Sequence, residues 1–253
     1  MSVSLEKRIE EVIVGKLAEL GRSDLFRTPH VGFSAADDPK FEELKTIIGP
    51  WHYLPSDILP GAKSVISFYV PFTAEVAEGP REAQYASIKW GESYEVINAH
   101  FGVMSDAVVE LLKAEGYNAE KIPATHTYDP ATLQCKWSHR SAAVIAGLGS
   151  FGANRLVITE KGSAVRFCTV ITDAVLAPTG PYEGPKCMFM EDGSCRLCID
   201  FCPAKALNDG DIDKFTCQRE LNLNEARLKE TTPFKGSDSC GKCISICPFS
   251  YME

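Results

Sequence analysis

At 253 residues, with 45% hydrophobic and 24% charged side chains, the chain can bury a full core and carry a small appended domain, which excludes a disordered protein. A net charge of -8 argues against a general nucleic-acid-binding surface. No run approaches membrane-spanning length, and Met1 to Leu20 mixes Glu, Lys and Arg with apolar residues instead of forming an export signal, so a cytoplasmic location without a membrane partner is expected.

Leu5, Ile9, Val12, Ile13, Leu17 and Leu20 recur at helical spacing, and Gly21 follows as a stop. Residues 22–60 carry Pro29, Pro39, Pro50, Pro55 and Pro60, so loop dominates, with a short strand at Val31 to Phe33 and a helix at Phe41 to Ile48. Ser64 to Val70 is rich in β-branched and aromatic residues and ends at Pro71, as a buried strand would. A mobile segment is expected from there to Gly91. From Glu92, the residues Ile97, Phe101, Met104, Val108 and Leu111 repeat every three or four positions and close at Gly116, which predicts a long helix. Trp90, Tyr94 and Phe101 are expected in its core contacts.

After a short strand at Ala119 to Ile122 comes a polar stretch, Thr125 to His139, holding His126, Asp129, Cys135, Lys136, Trp137 and His139. Titratable groups in a loop held by flanking elements often carry chemistry. Gly147, Gly149 and Gly152 spell G-x-G-x-x-G, the pattern of a dinucleotide site. The β-branched run Leu156 to Thr159 follows too closely to be the helix a pyrophosphate needs. Ser138 can instead cap a helix from His139 to Ala146, with Gly147 as its stop. A hairpin is then predicted, Arg155 to Thr159 and Val165 to Thr172, with Cys168 in the core. Residues 174–186, with Pro178, Gly180, Pro181, Gly184 and Pro185, read as a linker.

Eight of the ten cysteines fall between Cys187 and Cys247. Cys187, Cys195, Cys198 and Cys202 precede Pro203; Cys240, Cys243 and Cys247 precede Pro248; Cys217 lies between the groups. The bacterial ferredoxin run puts three thiolates on one cubane and sends the fourth, before proline, to the other cluster. This spacing assigns cluster one to Cys187, Cys195, Cys198 and Cys247, and cluster two to Cys202, Cys217, Cys240 and Cys243. The run predicts a cysteine near Asp192, and the nearest thiol is Cys187, which implies an insertion in that loop. Zinc is an alternative, but zinc ribbons do not need a cysteine before proline in both halves, and eight thiolates would require two zincs. A disulfide framework is a further alternative that needs an oxidising compartment.

Ser138-His139-Arg140-Ser141-Ala142-Ala143, then Ala146-Gly147-Leu148-Gly149, then Leu156-Val157-Ile158-Thr159, then Val165-Arg166 and Thr172-Asp173, followed by two ferredoxin runs, resembles the epoxyqueuosine reductase and reductive dehalogenase superfamily. The resemblance implies an α/β (α+β) chain: a nitroreductase-related, cobalamin-binding-type domain over residues 1–180, then a ferredoxin-like domain with two 4Fe-4S clusters over residues 181–253. It implies a cobalamin-dependent reductase, with an external electron donor such as a ferredoxin or flavodoxin and a small-molecule substrate. Ala153 stands where members of the superfamily carry Lys or Arg, and the chain ends six residues after Cys247, without the helical-repeat extension of many tRNA-acting members. With the acidic balance, this makes tRNA an unexpected partner. An electron-transfer protein without its own catalysis, and a tRNA-acting epoxyqueuosine reductase, are the alternative readings.

Reducing a C–O or C–halogen bond takes two electrons and usually a proton, so clusters alone do not suffice. Asp129, before Pro130, is the candidate acid, although a loop aspartate also suits a solvated turn. His139 and Arg140 could hold the corrinoid or a substrate carboxylate. Through the resemblance, cobalt would lie over the face formed by the helix at Ser138 and the hairpin from Arg155 to Thr172, with Asp129 reaching toward the substrate side and Gly147 and Gly149 as further cofactor contacts.

Overall fold

The computed structural model describes residues 3–123 and 128–253. Helix α1 (Leu5–Glu19) is capped by Ser4 and buries Ile9, Ile13 and Leu17, the face predicted by their spacing. Strand β1 (His30–Ala35), helices α2 (Lys40–Ile47) and α3 (Pro55–Ile58), and strand β2 (Ser64–Pro71) follow. The segment expected to be mobile is instead ordered as α4 (Ala74–Glu82) and the start of α5 (Ile88–Ala114). Ser87 is the reason for the early start: its side chain accepts from the Trp90 N–H, a cap that lies before the hydrophobic repeat begins.

The chain continues through β3 (Ala119–Lys121), β4 (Tyr128–Asp129), β5 (Gln134–Cys135), α6 (His139–Ile145), β6 (Ser150–Phe151), β7 (Val157–Ile158) and β8 (Val165–Thr172). The cysteine-rich part contains α7 (Met188–Asp192), α8 (Leu197–Phe201), β9 (Leu207–Asn208), β10 (Asp211–Ile212), α9 (Lys214–Thr231) and α10 (Lys242–Ser245). Thr125 and His126 lie outside the described residues.

The central sheet has the order β1-β2-β8-β3, with every neighbouring pair antiparallel. The predicted hairpin does not form. β7 pairs with β6, whereas β8 pairs with β2 along its whole length and with β3 at Val170 to Thr172. The short Thr159 to Gly162 bridge keeps only the turn.

β2 and β8 are buried on both faces, so β8 does not show the exposed alternate face of a surface hairpin. Side chains alternate across a strand. Ile66, Phe68, Val70, Cys168 and Val170 therefore join the cluster containing Ile97, Phe101 and Met104 of α5. Val65, Tyr69, Phe167 and Ile171 belong to the opposite-face clusters, which include Ala142 and Ala143 of α6. Phe68 meets Phe101 edge-on at 5.7 Å, a geometry worth about 0.5–1.5 kcal/mol beyond area burial. Among the described residues, no helix is long and apolar enough to cross a membrane.

Candidate functional site

Cys187, Cys195, Cys198 and Cys247 line one recess together with Gly152, Ala153, Asn154 and Ile158. The insertion read near Asp192 is α7, a five-residue helix that starts directly after Cys187 and ends on left-handed Gly193. Burial pushes the Cys198 thiol up to about 11, with Cys247, Cys187 and Cys195 adding the repulsion of nearby thiolates. Cys247 is raised for the same reasons, with Cys187 and Cys195 as its thiol neighbours.

A second set of thiols influences one another in the same way. Burial pushes Cys217 up to about 11, and Cys202 and Cys240 add to it. Cys243 is raised well above its ordinary value by burial, then by Cys240, Cys217, Cys198 and Cys202. Cys240 is also raised by burial, while the Lys242 N–H, which donates to its sulfur, and the Lys242 charge pull the other way. These shifts describe thiols; thiolate ligands lose the proton to the metal they bind. Among the described residues, no three His, Cys, Asp or Glu side chains converge as a lone metal ion would require. Four thiolates around one zinc would stand roughly 3.8 Å apart, from a Zn–S length of about 2.3 Å. A cubane takes each thiolate on a different iron, and its ligands stand farther apart.

The two parts of the chain are joined at this site. Asn154 Nδ2 donates to the Cys243 carbonyl at 3.1 Å, while its Oδ1 accepts from the Leu156 N–H. The Ser163 N–H donates to the Phe249 carbonyl and the Ala164 N–H to the Ser250 carbonyl, so the segment after Cys247 is tied to the turn before β8. Arg81 of α4 donates to the Ser245 carbonyl of α10. In return, Lys242 of α10 donates to the Pro80 and Ala83 carbonyls at the end of α4.

The other predicted residues surround α6. Ser138 caps it, accepting from the Ser141 N–H. His139 Nδ1 lies 2.7 Å from Thr169 Oγ1, and its Nε2 faces the Pro123 carbonyl at 3.4 Å. A carbonyl only accepts, so the ring is the donor in the Nε2 contact. Arg140 donates to the Arg155 carbonyl at 2.8 Å. The residue is exposed; desolvation by the protein atoms around its guanidinium, and then Arg166, lower its pKa, and Cys135, Cys217 and Cys243 are within electrostatic reach.

Gly147, at φ +73°, has its open side closed by the Gly180 carbonyl, where a Cβ would approach to 1.9 Å. At Gly149 a Cβ would meet the Ile158 carbonyl at 2.5 Å. The glycine pattern thus permits close backbone packing here. Asp129 is exposed and forms a turn: its Oδ1 accepts from the Ala131 N–H and its carbonyl from the Leu133 N–H.

His52 was not singled out by the sequence. It is buried, stacks on Trp137, and its Nε2 accepts from the Ser138 N–H at 3.1 Å, fixing the entry into α6. Burial lowers its pKa. Asn154 and Lys242 were missed as well. Their partners are carbonyls distant in sequence, which no local pattern marks.

No protein-family model matches the chain. It is 30% identical over 205 residues to the epoxyqueuosine reductase of Bacillus cereus, covering 77% of this chain and 50% of that protein. The chain spans about half the length of the curated relatives it matches. Among solved structures, a selenomethionine-labelled epoxyqueuosine reductase superposes with a TM-score of 0.64 at 22% identity, over 98% of this chain and 66% of that one. An epoxyqueuosine reductase with an epoxyqueuosine-modified tRNA stem loop superposes at 0.58 and 22% identity, with the same coverages. A reductive dehalogenase described for B12-dependent dehalogenation superposes at 0.57 and 20% identity, over 88% of this chain and 30% of that one. Over 77% of its length the chain is a homologue of the epoxyqueuosine reductases, and it has the mixed α/β fold found in both those enzymes and reductive dehalogenases.

Proposed function

We propose that the chain is an iron-sulfur, cobalamin-dependent reductase that takes electrons from an external donor such as a ferredoxin or flavodoxin and cleaves a bond in a small molecule reductively. The observation that carries this reading is that Cys187, Cys195, Cys198 and Cys247 line one recess, while Cys202, Cys217 and Cys240 act together on the Cys243 thiol. An all-thiol donor set fits 4Fe-4S clusters. Residues 1–180 would form the cofactor and substrate domain and residues 181–253 the ferredoxin-like domain.

The residues around α6 suit a corrinoid in their chemistry. Arg140 spends one N–H on the Arg155 carbonyl and makes no ion pair among the described residues, so further donors could hold amide or phosphate oxygens. His139 fixes the helix start to β8, while Gly147 and Gly149, whose open sides meet the Gly180 and Ile158 carbonyls, support the backbone beside it. When bound, a corrinoid supplies the two-electron chemistry that single-electron clusters lack. Asp129 would give the proton to the leaving or product atom from the turn it forms.

A tRNA substrate is the second reading. Its support is the epoxyqueuosine reductase relatives, one solved with a tRNA stem loop, and they weigh against the expectation drawn from acidic charge. An electron-transfer protein without its own catalysis is the remaining alternative. Anaerobically purified protein is expected to carry about eight iron and eight sulfide, and to bind cob(II)alamin in a base-off state visible by electron paramagnetic resonance. Stoichiometric zinc in place of iron would sink the cluster reading. Intact clusters with no corrinoid binding would leave electron transfer. Turnover of an epoxyqueuosine-modified stem loop would select the tRNA reading.

A further inference from the structure

Lys242 stands between Cys240 and Cys243 and is buried, with 8% of its surface exposed. Its Nζ donates to the Pro80 carbonyl at 3.0 Å and to that of Ala83. These carbonyls end α4, where helical oxygens have no partner within the helix. The ammonium also lies over the face of Phe201, at 5.9 Å. Removing an ammonium from water is costly unless an anion compensates. Among the described residues, no carboxylate forms an ion pair with Lys242, whereas its charge and its backbone N–H both reach the Cys240 sulfur.

We infer that Lys242 is a redox-tuning residue, a buried cation that raises the reduction potential of the cluster held by Cys202, Cys217, Cys240 and Cys243. The inference rests on the cluster reading proposed above. A cubane with four thiolates is anionic and becomes more so when it accepts an electron. A fixed positive charge nearby, poorly screened in the interior, therefore stabilises the reduced state more than the oxidised one. The step is the gain of one electron by the cluster from the external donor.

Other charges act on the same thiols. Glu220 of α9, half-buried, faces both Cys217 and Cys240 with the opposite sign, and Arg140 faces Cys217. What distinguishes Lys242 is its fixed place: α4 holds the ammonium, and Arg81 on the same helix holds the Ser245 carbonyl. Water cannot readily replace or screen it.

The test is a redox titration followed by electron paramagnetic resonance, with iron and sulfide determined on each sample, for the wild type, Lys242→Met, Lys242→Gln, Lys242→Arg and Glu220→Gln. Each neutral Lys242 variant is expected to shift the reduction equilibrium of this cluster about tenfold toward the oxidised state, about 59 mV lower for one electron. Lys242→Arg should stay near the wild type, Glu220→Gln should move the same cluster upward, and the other cluster should not move. Intact clusters with unchanged midpoints in either neutral variant would overturn the inference. Failure of both to assemble the cluster would also overturn it, by making Lys242 structural. Absence of iron from the wild type would instead remove the cluster reading itself.

Discussion

Asn154 donates its side-chain amide to the Cys243 carbonyl at 3.1 Å, and so ties the loop between β6 and β7 to the helix that carries one of the second set of thiols. The same side chain accepts from the Leu156 N–H, using both ends of the amide. Asn154→Ala leaves both partners unsatisfied in a poorly solvated place. Its expected cost is about 1–3 kcal/mol, read as a lower denaturant midpoint. A change within a few tenths of a kcal/mol would show that water replaces both bonds.

The crossed ligation can be read from single cysteine variants. Cys247→Ala is expected to damage the cluster held by Cys195 and Cys198, and to leave the cluster held by Cys240 and Cys243 largely intact. Spectroscopy of the reduced variant decides. Survival of the opposite cluster would make the two runs separate four-ligand sites.

Asp129 separates a turn residue from an acid. Its Oδ1 accepts from the Ala131 N–H at 2.8 Å, and an asparagine oxygen can keep that bond. Asp129→Asn is therefore expected to retain the fold and cob(II)alamin binding while losing about 10²- to 10⁴-fold in turnover, the usual worth of general acid catalysis. Full activity in this variant would return Asp129 to the turn alone.

His52 gives the protein an acid-sensitive element. Its folded pKa is depressed by burial, so its contribution is fully present above the ordinary histidine value of about 6.5 and is lost as pH falls through the lower folded value. Protonation also turns Nε2 from an acceptor for Ser138 into a donor facing a donor. His30 is depressed by burial too and adds to the same window. His52→Gln, which keeps an acceptor but does not titrate, is expected to flatten the fall in stability below about pH 6.5. An unchanged pH profile would assign the acid sensitivity elsewhere.

The sequence by itself determined the elements whose partners are local. The repeat from Ile97 to Val108 marks the buried face of α5, the run from Ser64 to Pro71 marks a strand buried on both sides, and Ser138 marks the cap of α6. These signals are legible because burial at helical or strand periodicity, and a cap beside its helix, are written within one stretch of chain. Only the tertiary structure decided that β7 pairs with β6 and that β8 pairs with β2 and β3 in place of the predicted hairpin. It also decided that α7 occupies the insertion after Cys187, that the glycines at 147 and 149 face protein carbonyls, and that Lys242 is buried against the end of α4. Those outcomes depend on which distant backbone oxygen or strand edge is available, and that is a property of the assembled chain.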